Sequence, residues 1–152
     1  MSAARGNEGE AAVLHALIAH GLDVLIPFGE GQAYDLAVDL AGRFLRIQCK
    51  TAWAIGGCLA WNTHATDHGR GALSYVGRAD VFGVYFPGTG SVFLVPVIDV
   101  GRSEGRLRLE PTRNNQRRRV RLAADYEIER WPLERLRELA PRPDLSWCAA
   151  EG

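Results

Sequence analysis

Hydrophobic and polar residues alternate in several short stretches of the chain, and these stretches predict β-strands. Such alternation turns one side of a strand toward a core and the other side away from it. The clearest strands lie at residues 34–40 and 44–49. Weaker strand patterns occur at residues 22–26, 53–55, 58–62, 81–86, 91–97 and 107–109. Residues 8–20 and 132–139 have helical spacing, and the order of elements predicts an α/β (α+β) fold with an α-β-β-β core.

The first predicted helix carries a carboxylate beside its apolar side. The apolar stripe and the positions next to it are Ala11, Val13, Leu14, Leu17 and Ile18. Asn7 is a candidate N-cap, and Gly21 ends the helix. Glu10 precedes Leu14 by four residues, so its side chain points along the stripe, where an unpaired carboxylate is unfavourable. The plainer interpretation is an acid that the helix dipole favours near the N-terminus.

The strands at 34–40 and 44–49 form a hairpin whose register follows from its turn. Residues 41–42, Ala-Gly, suit a two-residue turn between strands. With that turn, Leu36 lies opposite Ile47 and Val38 lies opposite Leu45. This register gives one continuous apolar face, which the sequence pattern requires of a half-buried hairpin.

The opposite face of the hairpin gathers polar side chains at one end, where Asp35 faces Gln48 and Lys50 is diagonally adjacent. Phosphodiester hydrolysis needs a metal ion, an activated water and positive charge near the transition state. Asp35 and the Cys49 carbonyl can ligate Mg²⁺, and Glu10 can ligate it directly or through water. Gln48 can ligate the ion or orient water, and Lys50 can supply the positive charge. The plainer interpretation is the exposed polar face of an antiparallel hairpin.

Length and composition limit the class of protein. The chain has 152 residues, of which 47% are hydrophobic and 24% charged. These values predict one globular domain, with a core over residues 6–139 and a tail over 140–152. No apolar run is long enough to cross a bilayer, so we expect a cytoplasmic protein without a membrane partner. Cys49, Cys58 and Cys148 lack CxxC spacing, which predicts free thiols and no zinc site.

The formal net charge of zero conceals regions of opposite sign. Residues 1–42 hold six acids and one base, residues 43–121 five acids and thirteen bases, and residues 122–152 seven acids and four bases. The basic middle suits either a polyanion or an ordinary solvated surface. Lys50 is the one lysine among eighteen basic residues. Because lysine is a compact charge with a tunable pKa, this use indicates a chemical role unless it is chance.

Two further segments are candidates for DNA contacts, because Arg binds phosphate or guanine while Asn and Gln bind adenine. The candidates in the first segment are Arg113, Asn114, Asn115, Gln116, Arg117, Arg118 and Arg119. The polar loop predicted at 63–74 offers Thr66, His68 and Arg70. The alternatives are a solvated basic segment and a metal site of His64, Asp67 and His68, although histidine is a poor Mg²⁺ ligand.

One acid outside this hairpin has an open role. Asp80 begins the predicted strand at 81–86. It is either a carboxylate at the periphery of the site or, as we expect, a residue that caps or closes a turn.

Several segments, in this order and spacing, resemble the PD-(D/E)XK nucleases. They include Gly9-Glu10 in the helix, YDL at 34–36 and IQCKT at 47–51. Further matching segments lie at residues 25–36, 46–52, 62–70, 75–87, 94–97 and 106–116, so that the resemblance covers most of residues 6–128. The chain is most similar to small bacterial endonucleases encoded in group I introns, whose motif is Q-x-K in place of (D/E)-x-K.

The resemblance implies a restriction-endonuclease-like core, with a mixed β-sheet flanked by helices. It also implies cleavage of double-stranded DNA that depends on Mg²⁺, with Mn²⁺ as a substitute, often by a homodimer or homotetramer. The catalytic positions carried over are Glu10, Asp35, Gln48 and Lys50, and the metal ligands are Asp35, the Cys49 carbonyl and Glu10. Gln48 replaces the usual acid and brings no charge, which puts the strength of metal binding in doubt.

Three functions stay open at this point. The first is a site-directed DNA endonuclease, either of the homing type or a cellular relative. The second is a Holliday-junction resolvase, or a restriction or repair nuclease of the same fold, which fold alone does not separate from the first. The third is a catalytically inactive DNA-binding module. The complete set of Asp35, Gln48 and Lys50 argues against the third.

Overall fold

A computed structural model describes residues 3–67, 71–111 and 120–144, without the side chains of residues 66–67 and 71–72. It contains ten strands and two α-helices in this part of the chain. The strands are β1 Asp23–Leu25, β2 Leu36–Leu40, β3 Arg43–Thr51, β4 Trp53–Ile55, β5 Cys58–Asn62, β6 His64–Asp67, β7 Gly71–Ser74, β8 Val81–Phe86, β9 Ser91–Pro96 and β10 Glu104–Arg108. The helices are α1 Ala3–Ala19 and α2 Leu133–Leu139, and neither has the length and apolar character that a bilayer crossing demands.

Helix α1 begins earlier than predicted, at Ala3, so Asn7 lies inside the helix and is not its N-cap. Alanine and arginine are strong helix formers, which explains the added turn. Gly21 ends the helix as predicted: its φ is 83°, and the Leu22 N–H donates to the Leu17 carbonyl at 3.1 Å. Glu10 therefore lies two turns into the helix, beyond the reach of the N-terminal dipole.

The predicted apolar stripe of α1 is only partly correct. The buried residues are Gly9, Val13 and Leu17, while Ile18 is 57% exposed. Spacing of four residues places these three on one side of the helix. The missing side chain of Gly9 lets the helix approach the sheet there, which turns Ile18 outward.

The central sheet has the order β1-β2-β3-β8-β9 and confirms the expected mixed architecture. Strands β3 and β8 are parallel, and the other neighbours are antiparallel. The hairpin register of β2 and β3 is confirmed, since Leu36 pairs with Ile47 and Val38 with Leu45. Ala41 and Gly42 both have positive φ, 53° and 88°, as a two-residue hairpin turn requires.

Each face of this sheet is covered by a separate layer. On one face, α1 and α2 pack over Ile47 and Val81, so that this core is a helix-on-sheet core. On the other face, a three-stranded antiparallel sheet of order β10-β5-β4 covers Phe82 and Val84 with Trp61 and Leu107. Because neighbouring residues of a strand point to opposite faces, Gln48 and Lys50 lie on the side of the smaller sheet.

The prediction of a polar loop at 63–74 is wrong, because β6 and β7 form a hairpin there. The hairpin pairs His64 with Ser74 and Ala65 with Leu73. Its strands carry few large apolar residues, so the alternation that normally indicates a strand is weak. The predicted final strand at 107–109 also begins earlier, at Glu104.

An ion pair fixes the parallel strands β3 and β8 against each other. The Arg46 guanidinium donates to both carboxylate oxygens of Asp80, with Nη2 at 3.0 Å from Oδ1 and Nε at 3.2 Å from Oδ2. The Arg46 N–H also donates to Oδ2 at 2.7 Å, and the Asp80 N–H donates to the Arg46 carbonyl at 2.9 Å. Asp80 therefore has a structural role, but it joins neighbouring strands and does not cap or close a turn as expected.

Replacing Asp80 by asparagine should lower the free energy of unfolding by about 1–3 kcal/mol, because Arg46 loses a charged partner of which only 9% is exposed. Glu104→Gln is the matched control, since it breaks the more exposed pair with Arg106 and should change stability by about 0–1 kcal/mol. Urea unfolding of both variants measures the difference. Equal losses would show that the Arg46–Asp80 pair has no special stabilising effect.

Candidate active site

Asp35 directly precedes β2, at the edge where β3 extends beyond the end of β2. Its N–H donates to the Ile47 carbonyl at 2.9 Å, one residue away from Gln48, the partner that the hairpin register would give it. Its Oδ2 accepts the N–H of Cys49 at 2.9 Å. The side chain thus replaces the next backbone partner of β3, and this hydrogen bond fixes one carboxylate oxygen in the plane of the sheet.

The Cys49 carbonyl faces the same open edge. The N–H and C=O of one residue in a strand point to the same side, and the Cys49 N–H points toward Asp35. Strand β8 occupies the other side of β3, and β2 has already ended. The amide of Gln48 donates to this carbonyl at 3.4 Å, a long hydrogen bond. The carbonyl is therefore available as an oxygen ligand.

Helix α1 brings Glu10 to this edge from the other face of the sheet. The residue before it, Gly9, packs so closely on β3 that a Cβ atom at position 9 would overlap Oγ1 of Thr51. Thr51 follows Lys50 directly. The contact therefore fixes the distance between α1 and β3 at the positions next to Glu10 and Lys50.

Both carboxylates of this edge bind protons more tightly than free carboxylates do. Burial, and next the charge of Asp35, raises the pKa of Glu10. Burial also raises the pKa of Asp35, although the Cys49 N–H and the charge of Lys50 act in the opposite direction. Both carboxylates further raise the pKa of the buried Cys49 thiol, which keeps it protonated. A site with this excess negative charge would be stabilised by a cation.

Lys50 lies on the opposite side of Asp35 from the helix. Burial lowers the pKa of its ammonium, and the charge of Asp35 partly offsets that effect. Its Nζ is 3.4 Å from the hydroxyl oxygen of Tyr75 and 4.8 Å from the centroid of the Tyr75 ring. The structure thus brings Glu10, Asp35 and Lys50 into one electrostatic group, with Gln48 and the Cys49 carbonyl beside them.

The donor set fits a hard divalent cation. In the described part of the chain, no three His, Cys, Asp or Glu residues cluster as a metal site. The edge instead offers two carboxylates and one backbone carbonyl, with Gln48 adjacent. Mg²⁺ commonly binds one or two carboxylates and completes its shell with water and substrate oxygens. An open cleft of about 330 Å³ between Glu10, Asp35 and the loop at 26–32 leaves room for them.

Most of the predicted DNA contacts lie outside the described residues. These are His68, Arg70 and the whole set Arg113, Asn114, Asn115, Gln116, Arg117, Arg118 and Arg119, together with the side chain of Thr66. For the alternative metal site, His64 is described, and its Nδ1 lies 3.1 Å from the Ser103 carbonyl. Cys49 and Cys58 are free thiols, and Cys148 lies outside the described residues.

Sequence reasoning missed Tyr75 as part of this site. Tyr75 follows β7 and is only 5% exposed. It belongs to no periodic pattern, and its contact with Lys50 depends on chain segments 25 residues apart. The available sign in the sequence was that Tyr75, an aromatic residue, directly follows the polar loop predicted at 63–74.

Comparison with known proteins agrees with this geometry. A family model described as PD-(D/E)XK endonuclease matches residues 2–129. The chain belongs to the PD-(D/E)XK endonuclease family. A solved structure titled as a bacterial homing endonuclease, I-Ssp6803I, is similar with a TM-score of 0.58 and 24% identity, over 80% of this chain and 83% of that chain. No curated protein matches. The family and this shared fold confirm the restriction-endonuclease-like architecture expected from the sequence.

Proposed function

We propose that this PD-(D/E)XK protein is an endonuclease that hydrolyses phosphodiester bonds of double-stranded DNA with Mg²⁺, and that Glu10, Asp35, Gln48 and Lys50 are its catalytic residues. The observation that carries the proposal is the convergence of a carboxylate pair, the Cys49 carbonyl and the sole lysine at one open sheet edge. We further propose that Mn²⁺ can replace Mg²⁺ and that the protein works in the cytoplasm as a homodimer or homotetramer.

Asp35, Glu10 and the Cys49 carbonyl would hold the divalent ion. When bound, the ion supplies positive charge to the phosphate and activates water for attack. The hydrogen bond from the Cys49 N–H to Oδ2 orients the Asp35 carboxylate, and Asp35 lines the cleft. The Gln48 amide, whose nitrogen donates to the Cys49 carbonyl, would orient water beside the ion without adding charge. Metal binding should therefore be weaker than with a third carboxylate.

Lys50 would act on the phosphate. Its ammonium is half-buried, so its charge is less screened than that of a surface lysine. Positive charge directed at the scissile phosphate stabilises the negative charge that grows in the transition state. Burial lowers the pKa of Lys50, and the charge of Asp35 opposes that shift.

A plasmid assay tests the proposal directly. Wild-type protein is incubated with supercoiled plasmid and Mg²⁺, beside Asp35→Ala, Lys50→Ala and an EDTA control. Metal-dependent nicking or linearisation that both substitutions remove would support the proposal. Equal cutting by the variants would refute these catalytic assignments and indicate a contaminant or a different site.

The homing type is the candidate that the similar solved structure favours, because its title names a homing endonuclease. A homing-type enzyme should give discrete fragments from a large genomic library. Preferential cutting of four-way junctions over linear duplex would instead identify a resolvase. If the protein binds DNA but cleaves none with any divalent metal, the remaining function is that of a catalytically inactive DNA-binding module.

Lys50→Arg should reduce the cleavage rate by roughly 100-fold although the charge is retained. Arginine is planar and longer, so it cannot place a compact charge at the same point above the Tyr75 ring. Single-turnover cleavage with saturating protein measures the rate without contributions from binding. Arg43→Lys is the reciprocal control at the far end of the same strand, where Arg43 is half-buried and donates to the Arg137 carbonyl, and it should cut at the wild-type rate. Wild-type cleavage by Lys50→Arg would show that charge alone suffices.

A further inference from the structure

We propose that Tyr75 is a positioning residue that fixes the Lys50 ammonium; this inference rests on the proposed nuclease function. The ammonium lies 4.8 Å from the centroid of the tyrosine ring and 3.4 Å from its hydroxyl oxygen. A cation within about 6 Å of a ring centroid is attracted by the negative face of the ring. The hydroxyl contact is long, so the ring is the stronger of the two partners.

Tyr75 is itself held firmly. Its ring packs edge-on against Phe82, with centroids 5.6 Å apart and planes at 90°. Its carbonyl accepts the N–H groups of Arg78 and Ala79 at 2.8 and 2.9 Å. Only 5% of Tyr75 is exposed. A ring fixed from both sides can hold a flexible lysine side chain in one place.

Lys50 needs such a partner because it does not form a close ion pair. Among described residues, the side-chain ion pairs are Arg46 with Asp80 and Arg106 with Glu104. Asp35 acts on Lys50 through its electrostatic field. If Lys50 paired directly with Asp35, the carboxylate would be less able to hold a cation and the ammonium less able to reach a phosphate. Because Lys50 contacts Tyr75 instead, the Asp35 carboxylate stays available for a cation and the Lys50 ammonium for a phosphate.

The single lysine provides a measurement that does not depend on activity. The full-length protein is labelled with ¹³C at the lysine ε-carbon, so its NMR spectrum holds one ε-methylene signal. Protons above an aromatic ring are shielded, so the wild-type signal should lie upfield of free lysine. Tyr75→Phe keeps the ring and should keep most of the shift, whereas Tyr75→Leu should lose it.

Cleavage rates should follow the same order. Tyr75→Phe should cut roughly two- to tenfold more slowly than wild type, through loss of the hydroxyl contact alone. Tyr75→Leu should cut roughly 10- to 100-fold more slowly, because the ammonium is no longer held in place. Tyr126→Phe is the matched control: it loses a 3.1 Å hydroxyl hydrogen bond to Asp99 away from Lys50, and should change neither readout.

Two results would overturn the positioning role. One is a lysine signal in Tyr75→Leu that is as shifted as in wild type, and the other is unchanged cleavage by that variant. Unfolding midpoints of all variants show whether a slower rate reflects a partly unfolded protein. If the wild type cuts no DNA, the proposed function fails by itself, and the lysine signal still decides whether Tyr75 holds Lys50.

Discussion

Asp35→Asn should abolish metal-dependent DNA cleavage, with a loss of at least about 1,000-fold, and yet leave the protein as stable as wild type or more stable. Asparagine keeps an oxygen that can accept the Cys49 N–H, so the local backbone is preserved. It removes the negative charge that would hold the divalent cation. It also removes the repulsion between Asp35 and Glu10.

The raised pKa of Asp35 also predicts how the stability difference between wild type and Asp35→Asn changes with pH. The raised pKa of Asp35 means that the folded protein holds this proton more tightly than the unfolded chain. Its contribution to stability is therefore complete below the ordinary value of 3.8 and is lost as the pH rises through the raised folded-state pKa. The stability of wild type minus that of Asp35→Asn should fall over this interval and then stay constant.

Two measurements check the prediction. Single-turnover cleavage gives the rate, and thermal unfolding with and without Mg²⁺ gives stability and metal binding. Mg²⁺ should raise the melting temperature of wild type and have little effect on Asp35→Asn. A variant that cuts DNA within tenfold of the wild-type rate would remove Asp35 from the catalytic set. An equal Mg²⁺ effect in both proteins would locate the metal elsewhere.

Gly9→Ala and Gly6→Ala should change stability in opposite directions although both lie in α1. A methyl group at position 9 would overlap Oγ1 of Thr51, so helix and strand must separate, at about 1–3 kcal/mol. At position 6 nothing lies within 4 Å, and alanine should stabilise the helix by about 0.5–1 kcal/mol. Cleavage by Gly9→Ala should fall by roughly 100-fold, since Glu10 moves with the helix.

A second substitution tests the cause. Gly9→Ala combined with Thr51→Ala removes the overlapping oxygen and should recover most of the lost stability and activity. Guanidinium unfolding and single-turnover cleavage measure both. If the double variant is as impaired as Gly9→Ala alone, the close contact is not the reason for glycine. If Gly9→Ala is as stable as Gly6→Ala, the helix is not held at that distance.

Local patterns predicted the hairpin of β2 and β3 well. Alternation in both strands and a two-residue turn leave one register, which the structure shows from Leu36–Ile47 to Leu40–Arg43, with Asp35 directly before the first pair. The polar group at the end of the hairpin could therefore be predicted without coordinates. The roles of Glu10, Asp35, Gln48 and Lys50 remain predictions that the experiments above test.

Contacts between distant segments were not predictable in this way. The parallel pairing of β3 with β8 joins residues 34 positions apart, such as Gln48 and Phe82. Nothing local indicates which distant strand pairs with β3. For the same reason, the sequence did not indicate that Tyr75 lies beside Lys50 or that Gly9 is buried against Thr51. The hairpin of β6 and β7 was missed for a different reason, because its strands lack a continuous apolar face.

Among the described residues, no strand pairs with the β2 edge of β3 beyond Ile47, although the Asp35 side chain accepts the Cys49 N–H there. Bare strand edges invite other extended chains to add to a sheet, and natural proteins often protect them with charge. Asp35 and Glu10 lie at this edge, where their negative charges repel an acidic chain and would lose solvation against an apolar one. The same carboxylates that suit a cation therefore also disfavour the addition of another strand to the sheet.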